Sequence, residues 1–185
     1  MGNRGVKVKR RSVWEIRENA MKLRELLDIG PGAVDVLKLL EHKLHELGVD
    51  FQVVEVEELS QDEGLCEPNE DIIKIRQDVY EALSYGDARA RFTAVHEIGH
   101  LVMHTNVQLA RSSVQYHHWK EDSEWQADTF SAEFLMPADE VAEHCSSELD
   151  IQYRFNVSKQ AAEIRWRELK REGVVKMKRA EGLLL

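Results

Sequence analysis

The segment that most constrains this chain is residues 90–105, ARFTAVHEIGHLVMHT. Wound as an α-helix it is apolar in nearly every direction, through Phe92, Ala94, Val95, Ile98, Leu101, Val102 and Met103, so it belongs at the centre of a fold. Its polar residues nevertheless share one stripe: Thr93, His96, Glu97, His100 and His104. A buried polar stripe has to be satisfied by partner groups or by a metal ion.

His96 and His100 are one helical turn apart, so both imidazoles can point at a common ion about 2 Å from each ligating nitrogen. This is the spacing H-E-x-x-H. Glu97, next to the first histidine, projects beside the metal and can hydrogen-bond a water there, as general base and then acid in the attack on a peptide carbonyl. A catalytic zinc needs a third protein ligand and an open position. The metzincin pattern would put glycine at 103 and histidine at 106, but this chain has Met103 and Asn106. His104 lies about 6 Å beyond His100 along the helix axis, too far to share the ion, which makes it a packed or supporting histidine. The next predicted helix, over residues 122–136, offers Glu124 as third ligand, with Asp128 one turn on to accept the outer N–H of a ligating imidazole. Glu121 and Glu133 are the rival ligands. Tyr116, His117, His118, His144 and Tyr153 are the candidates for stabilising an oxyanion, and the sequence does not choose among them.

The rest of the chain reads as a scaffold for that helix. Periodicity predicts a helix over residues 13–29, ended by Gly30, Pro31 and Gly32, and a second over 33–47 with Leu37, Leu40, Leu44 and Leu47 as its apolar stripe and Gly48 as its stop. FQVVEV from residue 51 and IIKIR from residue 72 read as strands, with a third strand around Leu65 and Cys66 and a turn over Glu67, Pro68, Asn69 and Glu70. The expected fold is α+β and mostly helical, with a sheet of about three strands and a C-terminal helical segment. That last segment, with Ser158 as N-cap and Gly173 as stop, can be read as a helix-turn-helix-like unit carrying Arg165, Arg167, Lys170 and Arg171, or as plain packing with solvated charges. The organisation expected is a basic arm and helix over residues 1–30, a metallopeptidase-like domain over 31–137 and helices over 138–185.

A net charge of −9 conceals a strong asymmetry. Residues 1–12 carry +5 and residues 159–181 carry +4, leaving −18 on the stretch between them. Such a body repels nucleic acid, so any phosphate contact falls to the basic ends, while a basic protein partner would be attracted. Cys66 and Cys145 are too few for a disulfide framework or a thiolate metal site and read as reduced thiols. No run reaches the roughly 18 apolar residues of a membrane span, and MGNRGVKVKRR is no secretory signal, so a cytoplasmic location is expected.

The stretches RFTAVHEIGHLVMH, EWQADTFSAEFLMP and FNVSKQAAEIRWREL, in this order and at this spacing, resemble the ImmA/IrrE family of zinc metallopeptidases over about residues 33–171. The resemblance implies a zincin-like domain, with His96, His100 and Glu124 as Zn2+ ligands, Glu97 as catalytic glutamate and Asp128 as the supporting carboxylate seen in thermolysin-like sites. It also implies limited cleavage of a DNA-binding, helix-turn-helix repressor. A different class of function stays open at this stage: a regulator in which the same site holds metal without proteolysis and the protein binds a repressor, peptide or DNA.

Overall fold

The computed structural model describes residues 5–105 and 116–175. Asn106 and, among the charged residues of the two basic ends, Arg4, Lys176, Lys178, Arg179 and Glu181 lie outside the described residues. Helix α1 (Val13–Leu26) starts at Ser12, whose hydroxyl accepts the Glu15 N–H while the Glu15 carboxylate returns to the Ser12 N–H. This reciprocal cap fixes the start of the helix at one residue.

The predicted second helix is a correction. Its α-helical part is only α2 (Val36–Lys38), followed by a π-helical turn (Leu39–Lys43) and a 3-10 turn (His45–Leu47) closing at Gly48. One extra residue in the π turn rotates the stripe, so Leu39, Leu40 and Leu44 are buried while Leu47 is exposed.

Strands β1 (Asp50–Val54), β2 (Gly64–Glu67) and β3 (Ile72–Arg76) form a sheet in the order β1-β3-β2. β1 runs parallel to β3 and β2 antiparallel to it. Short α3 (Val56–Leu59) lies in the crossover, and the Glu67–Glu70 turn closes with a 3.0 Å bond from the Glu70 N–H to the Glu67 carbonyl.

Helices α4 (Gln77–Ser84) and α5 (Ala88–Met103) follow, and α5 is the buried centre of the fold. β2 and β3 cover one flank of α5 and α6 (Ser123–Leu135) packs along another. The two helices approach closely because Gly99 has no side chain: a Cβ there would meet the Ala127 Cα at 3.3 Å and the Phe130 ring at 3.2 Å. α6 begins at Asp122, which accepts the Trp125 N–H. α7 (Ala138–His144), α8 (Glu148–Phe155) and α9 (Lys159–Glu172) complete the chain. Most of the buried apolar side chains from Ile16 to Val175, Ile98, Phe130 and Phe134 among them, form one cluster. No described helix is long and apolar enough to cross a membrane.

α8 and α9 pack together across a short turn at Asn156, so the outline of two helices and a turn is present. Its basic face is smaller than the sequence suggests. Arg165 is 2% exposed and pairs with Glu133, which takes it out of any surface contact, while Arg167, Lys170 and Arg171 remain exposed.

Candidate metal centre

α5 and α6 bring His96, His100 and Glu124 together across their interface. One donor atom from each lies within 4.8 Å of the others. His96 Nε2 is 3.0 Å from His100 Nε2 and 3.2 Å from Glu124 Oε2, and His100 Nε2 is 3.3 Å from Glu124 Oε1. Three donors about 2.0–2.1 Å from a tetrahedral ion stand about 3.3 Å apart, so the set fits a divalent cation with little movement. Chemistry points the same way. Two bare imidazole lone pairs do not rest 3.0 Å apart, so a proton or a cation has to lie between them.

The outer nitrogens are engaged on the far side. Asp128 Oδ1 stands 3.0 Å from His96 Nδ1, and His104 Nδ1 stands 2.9 Å from His100 Nδ1. Burial alone would lower the His96 pKa, but the hydrogen bonds to Asp128 and Glu124 outweigh it and push it up to about 10. Burial alone would raise Glu124, and the bonds to His100 and His96 reverse that, holding it well below the usual carboxylate range. His104 goes the other way: burial pushes it down to about 3, so it is neutral.

A proton on His96, favoured by Asp128 and Glu124, competes with a cation for the same nitrogen. Its contribution to stability is fully present below the ordinary histidine value of about 6.5 and is lost as pH rises through about 10. An incoming ion has to expel it. Divalent-metal affinity is accordingly expected to rise about tenfold per pH unit between roughly pH 6.5 and 8.5. Chelator competition across that range measures the slope, and calorimetry in buffers of different ionisation enthalpy counts the proton released.

Glu97 sits beside the donor set without joining it. Burial raises its pKa, with His96 and His100 acting against that rise and the Cys66 backbone also favouring the charged form. Its carboxylate fits only because residue 64 is glycine, since a Cβ there would lie 2.8 Å from Glu97 Cγ and 3.2 Å from Oε1. Edge strand β2 thus runs directly past the acid. The Cys66 thiol is buried and free, its pKa raised by burial and by Glu97, which makes it inert.

The remaining candidates are placed elsewhere. Glu133 is fully buried between Arg165 and Arg17, and the Glu121 carboxylate accepts the His118 N–H, so neither rival takes the ligand position. His117 Nε2 meets Asp122 Oδ2 at 3.2 Å, His118 Nδ1 accepts the Lys120 N–H, and His144 pairs with Glu143 at 3.7 Å. Tyr116 and Tyr153 are exposed. Sequence reasoning missed Gly64, Gln126 and Arg11. Only Gly64 left a signal, as a glycine inside a predicted strand.

A small mixed sheet against a buried helix, with a His, His, Glu donor set shared with the next helix that fits a metal ion, makes this an α+β, zincin-like domain. Residues 79–167, just under half of the chain, match the family model described as Peptidase_M78, IrrE N-terminal-like domain, in line with the resemblance read from the motifs. The match runs from α4 into α9 and includes His96, Glu97, His100 and Glu124; it is narrower than the resemblance read over residues 33–171 and leaves out the sheet and α1. No curated protein gives a significant match.

Proposed function

We propose that this protein is a zinc-dependent endopeptidase of the cytoplasm that makes limited cuts in a DNA-binding repressor of the helix-turn-helix kind and so relieves repression. One observation carries the reading: a buried glutamate outside the donor set stands directly beside it, under the open edge of a sheet. A metal held only for structure has no use for such a group.

His96, His100 and Glu124 would hold the ion, with Asp128 fixing the outer nitrogen of His96. Zn2+ bound there supplies a Lewis acid that polarises a carbonyl and acidifies water. Glu97 takes the proton as water attacks the peptide carbon and returns it to the departing amine. Among the described strands β2 pairs with β3 alone, so an extended substrate segment can add to its free edge and lay its backbone alongside Glu97. The acidic body favours a basic partner such as a DNA-binding protein. Direct contact with DNA would rest on the exposed bases of α9 and the N-terminal segment. The burial of Arg165 weakens that alternative and favours the peptidase over a DNA-binding regulator.

Incubating the zinc-loaded protein with helix-turn-helix repressors and mapping products by mass spectrometry is expected to give one or two discrete cuts. Chelation should stop them and Zn2+ should restore them. Relief of repression with the repressor intact would refute the proposal.

A further inference from the structure

Three buried or half-buried side chains outside the ligand set form one line from the N-terminal segment to His100. Gln126 and His104 are both fully buried. Gln126 Nε2 donates to the carbonyls of Lys9 and Lys120, each at 2.8 Å. Its Oε1 accepts from Arg11 Nη1 at 3.0 Å and faces His104 Nε2 at 3.2 Å. Reversing the amide would set its NH2 against a guanidinium and its oxygen against two carbonyls, so one orientation is allowed.

That orientation dictates the protons further along. His104 Nε2 must carry hydrogen to bond an oxygen, which leaves a lone pair on its Nδ1. His100 Nδ1, 2.9 Å away, must then be the donor. Imidazole with its hydrogen on Nδ1 presents a lone pair on Nε2, the atom that faces His96 and Glu124. Arg11 closes the line from outside, its Nη2 donating to the Met103 carbonyl at the end of α5 at 2.7 Å.

We propose that His104 is the positioning residue that sets the tautomer and aim of His100, that Gln126 sets His104, and that Arg11 locks Gln126. The proposal rests on the metal-centre reading above and extends it to a segment outside the family match, which begins at residue 79. The two histidines are then supported differently: His96 by a carboxylate, His100 by a neutral histidine and amide anchored on the Arg11 guanidinium of the N-terminal segment.

The test uses the full-length protein with Zn2+ alone as probe. In the zinc-loaded wild type, nitrogen NMR of the side chains is expected to place hydrogen on Nε2 of His104 and on Nδ1 of His100, with a coupling across the Nδ1–H···Nδ1 bond. His104→Leu should keep the fold by circular dichroism and lose about 10–100-fold in zinc affinity. His104→Asn, whose side-chain oxygen can stand where Nδ1 stood, should recover most of that loss, and Arg11→Met should lose severalfold with the coupling weakened. Hydrogen on Nδ1 of His104, or unchanged zinc affinity in a folded His104→Leu, would overturn the proposal while leaving the metal centre standing. Failure of the wild type to bind zinc would overturn the metal-centre reading and the proposal with it.

Discussion

Glu133→Ala is expected to lower folding stability by about 3–5 kcal/mol, enough to leave a domain of ordinary stability, about 5–15 kcal/mol, barely folded. Glu133 is fully buried and accepts two bonds from Arg165, at 2.8 and 2.6 Å, and two from Arg17, both at 2.9 Å. Burial alone would raise its pKa, but these two guanidinium groups hold it below the usual carboxylate range. Its charge therefore contributes stability that is present above the ordinary carboxylate value and lost as pH falls through the lowered one. Removing the carboxylate strands Arg165, 2% exposed, whose remaining bond is from Nε to the Met136 carbonyl.

The loss comes from the stranded charge rather than from missing attraction, and a second variant separates the two. Replacing both partners, as Glu133→Leu with Arg165→Met, should recover most of the stability because no buried charge is left behind. Urea unfolding of the single and double variants measures the difference. A single variant within 1 kcal/mol of wild type would show that water or a rearranged acid reaches Arg165. Because this network ties α1 and α9 to α6, it also fixes the helix that carries Glu124 and Asp128.

That network was misread in the sequence for a physical reason. A helix with Arg165, Arg167, Lys170 and Arg171 reads as a basic surface, because nothing local shows that residue 165 faces an acid 32 positions away. The convergence of His96 with His100 is legible, since helix geometry dictates it; Glu124 and Asp128 stand on the next predicted helix beside the rivals Glu121 and Glu133, and it is the family resemblance that singles them out. Axial rise also kept His104 out of the ligand set, but could not supply its partner. Gln126 and Arg11 come from a different helix and from the other end of the chain, so only the tertiary fold brings them to the line. The strands and the turn at Glu67 to Glu70 were readable from β-branched composition and proline. Of the stripe Leu37, Leu40, Leu44 and Leu47 only Leu47 turns outward, because a π turn shifts the helical phase, and no propensity marks that insertion.

Glu97→Gln is expected to reduce peptide cleavage by about 10²–10⁴-fold while leaving zinc content unchanged. Glutamine keeps the shape and the hydrogen-bonding capacity of glutamate beside Gly64 but cannot accept a proton, and Glu97 lies outside the donor set that would hold the ion. Burial raises the Glu97 pKa, which places the group nearer to neutrality, where a base can both take a proton from water and hand it on to an amine. The same shift sets the sign of the pH profile. Activity should fall toward acid pH, since protonating Glu97 removes the acceptor. Metal analysis of the purified variant and single-turnover cleavage of a repressor substrate separate loss of the ion from loss of the base. A variant that retains zinc and cleaves at the wild-type rate would remove Glu97 from the chemistry. One that retains zinc, cuts nothing and still relieves repression would show that the protein works by binding.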